Sequence, residues 1–254
     1  MSNERLLDLV EEAGFIFRGR VVRRGAPAQH SAPGAEDQTI TVAVGEILRS
    51  TDVMKDLAGI DVIVVGEHAA GMKEGSSYIF LTTCLVLGDY AVLRDLAHFE
   101  ASGDAVRDIA EAVRIAEERP LRQRVAGAEL IVTGTVATSR PLAPPSILRS
   151  EHDPDWWIAR VAVRSVVKGV LAKGAKVGQE IDVVFANSED IAWYKSPKLH
   201  EGASGIFILR HADPKEVPEK VERNTYQATD PLDFLPAERL PEVERALENG
   251  KGDR

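Results

Sequence analysis

The chain has 254 residues, 44% hydrophobic and 28% charged, which is longer than one typical domain and apolar enough for two modest cores. Its formal net charge of −9 argues against a phosphate backbone as partner, because proteins that hold nucleic acid usually carry a basic excess. A single cysteine, Cys84, excludes an internal disulfide and fits a reducing, cytoplasmic setting, and no apolar run approaches a membrane span.

Residues 1–12 read as a short amphipathic helix rather than a signal peptide, since no basic stretch precedes a long apolar one. A strand follows at Phe15–Val22, interrupted by Gly19, where a bulge or sharp coil is expected. Arg18 and Arg20 share one face of it by period two, with Arg23 and Arg24 at its end. They suit an acidic partner or a phosphate, or simply a solvated outer face. After the Ala/Pro/Gly-bearing stretch 25–37, Ile40, Val42 and Val44 alternate as the buried face of a second strand. A third strand is expected at Ile60–Val64, and the pair Glu74-Gly75 marks a turn before a fourth. Cys84 lies in the apolar run IFLTTCLVL and is expected to be a small buried hydrophobe. Val106, Ile109 and Val113 then form the stripe of a helix, capped by Ser102 or Asp104.

The same series repeats. Phe15–Val22 matches Leu130–Ala137 at an offset of 115, and Val42–Arg49 matches Val161–Lys168 at 119. Ile60–Val64 matches Ile181–Phe185 at 121, and Glu74–Phe80 matches Glu201–Phe207 at 127. The offset grows only in polar or Gly/Pro-bearing segments, as two copies of one fold with lengthened loops require. The recurrence of ILRS at 47–50 and 147–150 is out of register and is set aside as coincidence. A helix at Leu240–Leu247, with Pro241 in its first turn, is the counterpart of the helix after the first copy. The expected organisation is an N-terminal helix (1–12), repeat 1 with its closing helix (13–118), a linker (119–127) and repeat 2 with its closing helix (128–250). The expected fold class is mainly β: two tandem OB-like small β-barrels, each followed by a helix.

The shared pattern, an IVxGxV strand, a VxVxxVVKG strand, IDVVF and EGxxxIFIL, resembles the netrin-like OB fold of the tissue inhibitors of metalloproteinases. That resemblance implies a small closed barrel. Those inhibitors use an N-terminal cysteine on the target's zinc; this chain begins Met1-Ser2-Asn3, so that mechanism does not carry over.

Differences between the copies point to function. Copy two carries a long first loop, 139–155, leading into Trp156-Trp157, and Trp193-Tyr194 precede its last strong strand. Tryptophan buries much surface with few rotors and is enriched at binding hot spots, but it also plugs barrel mouths. The candidate ligand- or partner-binding residues are therefore Trp156, Trp157, Trp193, Tyr194, Arg18 and Arg20. The EHDPD run (151–155), with Asp190 or His200 as helpers, lacks the spacing of a metal site, and neither HExxH nor paired CxxC occurs. GVLAKGAK (169–176) lacks the GK(S/T) ending of a phosphate loop, no GxSxG is present, and His68 and His98 have no evident nucleophile partner. These features suggest a non-catalytic, cytoplasmic adaptor or assembly component with a protein partner and no cofactor, metal or membrane. The alternatives are a small-molecule or saccharide sensor using the aromatic loops of copy two, and a hydrolase.

Overall fold

The computed structural model describes residues 2–25, 38–67, 69–87, 91–142, 154–170, 178–217, 221–222 and 224–249. The chain divides into two compact units, residues 1–118 and 119–254.

In the first unit, helix α1 (Asn3–Glu12) starts where the Ser2 side chain accepts from the Arg5 backbone N–H. Five strands follow: β1 (Phe15–Arg24), β2 (Thr39–Arg49), β3 (Asp61–Val65), β4 (Ser77–Leu87) and β5 (Ala91–Glu100). They close into a barrel of order β1-β2-β3-β5-β4, with β4 returning to pair with β1. Only the β3–β5 pairing is parallel. The register slips between Phe17 and Gly19, so the expected coil in β1 is present. A Cβ at Gly19 would sit 2.5 Å from Val42 Cγ1, which is why that position has no side chain. Inside, the rings of Phe15, Phe17 and Phe80 stack in series at 4.8 and 5.2 Å. Ile40, Val42 and Val44 join them on the buried face that the alternation marks.

The second unit repeats this topology with β6 (Leu130–Pro141), β7 (Trp156–Lys168), β8 (Glu180–Ala186), β9 (Ser204–His211) and β10 (Tyr226–Ala228). Here β8 and β10 are parallel and β10 closes onto β9. A two-residue strand, β11 (Phe234–Leu235), extends the sheet beside β9. The slip between Thr133 and Gly134 mirrors the one at Gly19. Gly75 and Gly202, at φ of 82° and 84°, occupy equivalent left-handed turn positions before β4 and β9.

Helix α2 (Gly103–Gly127) follows the first barrel, its start capped by Ser102, and α3 (Leu240–Asn249) follows the second. Two small OB-like barrels, each followed by a helix, are thus the fold. The helices also show a repeat longer than the strand pattern reveals. In the first unit Val10, Ala13, Ile16, Ile79, Ile109 and Ala112 form an outer apolar layer. In the second, Val125, Ala128, Ile131, Ile206, Val243 and Ala246 form its counterpart, position for position. The offset of 115 therefore continues upstream to Val10 and Val125, so each barrel carries a helix before it as well as after it. A basic side chain finishes each preceding helix: Arg49 donates to Val10 O, and Lys168 Nζ donates to Val125 O at 2.8 Å and Ala126 O at 2.9 Å. Arg49 and Lys168 are equivalent residues of the two copies. Lys168→Met is expected to cost about 1–2 kcal/mol by leaving two helix-end carbonyls without a donor, measured as a lower urea midpoint.

Two expectations are corrected. Residues 119–127 are not a linker but the last turns of α2, whose Leu121 and Val125 pack into the second unit. Pro120 lies inside that helix, and its poor helix propensity is overridden by packing on both sides of it. Cys84 is exposed, not buried. The helix-covered zone of β4 ends near Leu81, and a register slip between Cys84 and Val86 interrupts the strand beyond it. No helix among the described residues is long and apolar enough to cross a membrane.

Candidate functional site

The structure places the tryptophans on strand and turn rather than in a free loop. β7 begins at Trp156, which pairs with Ala186, and Trp157 pairs with Phe185. Strand alternation sends the two rings apart. Trp157 packs on the barrel core, its ring 6.3 Å from that of Phe185. Trp156 instead meets Trp193 edge-to-face at 5.8 Å. Trp156 and Trp193 are therefore brought together, and Trp157 is separated from both.

Trp193 stands on the segment between β8 and β9, which is held firmly. Asp190 Oδ1 accepts from the Ala192 N–H at 2.8 Å, and Asp190 O accepts from both Trp193 and Tyr194 at 2.8 Å. Lys198 Nζ then donates to three carbonyls: Ala186 at 2.8 Å, Ser188 at 2.7 Å and Trp193 at 3.1 Å. Burial lowers the Lys198 ammonium below its usual range, with Glu189 pulling the other way. Two further bonds, Asn187 N–H to Asp155 O and Asp155 N–H to Ser188 Oγ, tie the segment to the start of β7. On this anchored turn Ile191 is 83% exposed and Tyr194 55% exposed. Lys195 Nζ lies 5.6 Å from the Tyr194 ring centroid. The turn thus exposes one apolar and one aromatic side chain, with Lys195 beside the ring and Glu189 and Asp190 just before Ile191 in the chain. Ile191 and Lys198 escape notice in the sequence; the signal that could have found the turn is an aspartate two residues before Ala192, with a lysine eight residues on.

Arg18 and Arg20 lie in the first unit, both exposed on β1 and without ion-pair partners among the described residues. Arg23 is anchored, its Nε donating to Thr41 Oγ1 at 3.3 Å. In the second barrel the equivalent positions are filled by paired hydroxyls, Thr133 with Ser165 and Thr135 with Ser204. The fold thus does not require arginine there. His152 and Asp153 lie outside the described residues, as does most of the 169–176 stretch. Among the described residues no three His, Cys, Asp or Glu side chains converge on a metal position.

The outer side of β7, β8 and β10 holds a cavity of about 500 Å³. Its Arg160 is already held by Asp182 at 3.2 Å and Glu180 at 3.6 Å, and the His211 ring stacks on Tyr226 at 4.6 Å. With Glu222 also lining it, this face is acidic.

No protein family matches the chain, and no curated protein does. The solved structures include the single-stranded DNA binding protein from Thermus aquaticus, 10% identical, covering 85% of this chain and 87% of that one at a TM-score of 0.20. A deletion mutant of the same protein is 11% identical, covering 85% and 89% at a TM-score of 0.19. The expectation that nucleic acid is an unlikely partner runs against what these two neighbours are named for, and it is not carried further. A net charge of −9 sums over the whole chain and does not describe one face, such as the Arg18–Arg20 face of β1. At those TM-scores the likeness assigns this chain no ligand. The netrin-like resemblance reaches no further than the OB-like barrels.

Proposed function

We propose that the chain is a non-catalytic binding protein, an adaptor or assembly component, and that it engages a protein partner through the aromatic turn of the second barrel. The observation that carries this reading is the exposure of Ile191 and Tyr194 on a turn fixed by Lys198 and Asp190. Large exposed apolar side chains on a rigid turn lose little conformational entropy when covered, which is what a hot spot needs. Ile191 and Tyr194 suit a partner surface with an apolar centre, and the charged groups on the same turn, Glu189, Asp190 and Lys195, suit a polar rim around it.

The test is affinity capture with the full chain and with the double variant Ile191→Glu, Tyr194→Ala, whose sites are exposed and leave the core intact. A stoichiometric protein partner whose affinity falls about tenfold or more in the variant is the expected result. A labelled single-stranded oligonucleotide is titrated in parallel. Oligonucleotide binding lost in the same variant would replace the protein reading with a nucleic-acid one.

A further inference from the structure

The first unit contains a groove of about 830 Å³ between α1 and β5 that the aromatic site does not involve. Its polar wall is unusual. Asp95 on β5 is buried, its side chain 5% exposed, and its Oδ2 lies 2.7 Å from His98 Nδ1. Asp95 Oδ1 is also buried and has no hydrogen-bond donor. A buried acceptor left unmet destabilises the fold, so the position is expensive to keep for structure alone. Gly66 backs this carboxylate closely: a Cβ there would stand 2.8 Å from Asp95 Cβ.

Arg5 from α1 and Arg94 from β5 line the same groove. Neither guanidinium has an ion-pair partner among the described residues. Glu67 is the other lining carboxylate. Two guanidiniums, Arg5 and Arg94, and two carboxylates, Glu67 and Asp95, thus line the groove. A guanidinium fork matches a carboxylate, and a buried carboxylate oxygen without a donor matches a hydroxyl or ammonium. Leu9 and Phe99 supply apolar wall for the rest of a ligand.

From these groups we infer that the groove binds a small hydroxy- or amino-carboxylic acid with an apolar body. Arg5 and Arg94 hold the carboxylate, Leu9 and Phe99 cover the body, and the hydroxyl or ammonium supplies the donor that Asp95 Oδ1 lacks. The site is independent of the aromatic turn, and either can fail without the other.

The test is calorimetric titration of the full chain with three probes: 3-phenyllactate, 3-phenylpropanoate (which lacks only the hydroxyl) and 3-phenylpropanol (which lacks the charge). Phenyllactate is expected to saturate with a Kd on the order of 1 mM or tighter, and the alcohol is expected not to bind. Phenylpropanoate is expected to bind about fivefold or more weaker, the cost of leaving a buried acceptor unmet. Arg94→Gln, at an exposed position, is expected to keep the thermal midpoint and weaken phenyllactate about tenfold or more. Asp95→Asn is expected to erase the preference for phenyllactate over phenylpropanoate. Absence of saturable binding by either acid, or binding unchanged in Arg94→Gln, would overturn the assignment.

Discussion

Replacing Asp233 with alanine is expected to lower the stability of the second unit by about 3–5 kcal/mol, the range for breaking a buried ion pair from one side. The carboxylate is fully buried and pairs with Arg124 of α2. It also accepts from the backbone N–H groups of Thr229 at 2.8 Å and Asp230 at 2.9 Å. Burial raises the carboxyl above its ordinary range, while Arg124 and the N–H groups of Asp230 and Thr229 pull it down. Alanine would leave a largely buried guanidinium and two N–H groups unmet. Asparagine keeps an acceptor in place and is expected to cost clearly less. Both are measured by urea unfolding followed through tryptophan fluorescence. That signal reports the second unit alone, since Trp156, Trp157 and Trp193 all lie within it. Equal losses for the alanine and asparagine variants would contradict the role given to the bonds that Asp233 accepts.

The second large effect separates two neighbouring tryptophans. Trp157→Ala is expected to cost about 3 kcal/mol, the low end for a large-to-small change in a core, because the ring is only half-buried against Phe185. Trp156→Ala removes a ring that touches Trp193 outside the core and is expected to cost about 1 kcal/mol or less. Unfolding midpoints of the two variants decide it; comparable losses would place Trp156 in the core and remove it from the proposed surface.

Much of the fold is legible in the sequence because strand burial has period two. Val42 and Val161, or Phe80 and Phe207, must occupy one face and so persist in both copies while loops lengthen. The glycine within the first strand of each copy is legible for a steric reason: at Gly134 a Cβ would lie 2.7 Å from Ala162 O. The helix before each barrel is harder to see. In the second copy it is continuous with the helix closing the first, and Arg122 and Arg124 stand where Leu7 and Leu9 do, so that only Leu121, Val125 and Ala128 keep the match to Leu6, Val10 and Ala13. β10 escapes notice because it is three residues long and carries the buried polar Gln227 in its centre. Gln227 is satisfied by Asp213 N–H and by Glu216, contacts that no local pattern announces.

The candidate site is legible only in part. Residue type flags Trp156, Trp157, Trp193 and Tyr194, but spacing alone cannot say that β7 turns Trp157 inward and Trp156 toward Trp193. Lys198 is invisible for a similar reason: its role depends on three carbonyls brought together by the fold. It reads in the sequence as an ordinary surface lysine.

The proposed function requires the turn carrying Tyr194 to be a protein-binding surface. The most direct measurement is photo-crosslinking from position 194, with p-benzoylphenylalanine in place of Tyr194, in an extract of the source cells. A matched control carries the same group in place of Glu244, on the exposed side of α3. The result expected is one discrete protein adduct at position 194 and none at position 244. No adduct at 194, the same adduct from both positions, or an adduct removed by nuclease would contradict it.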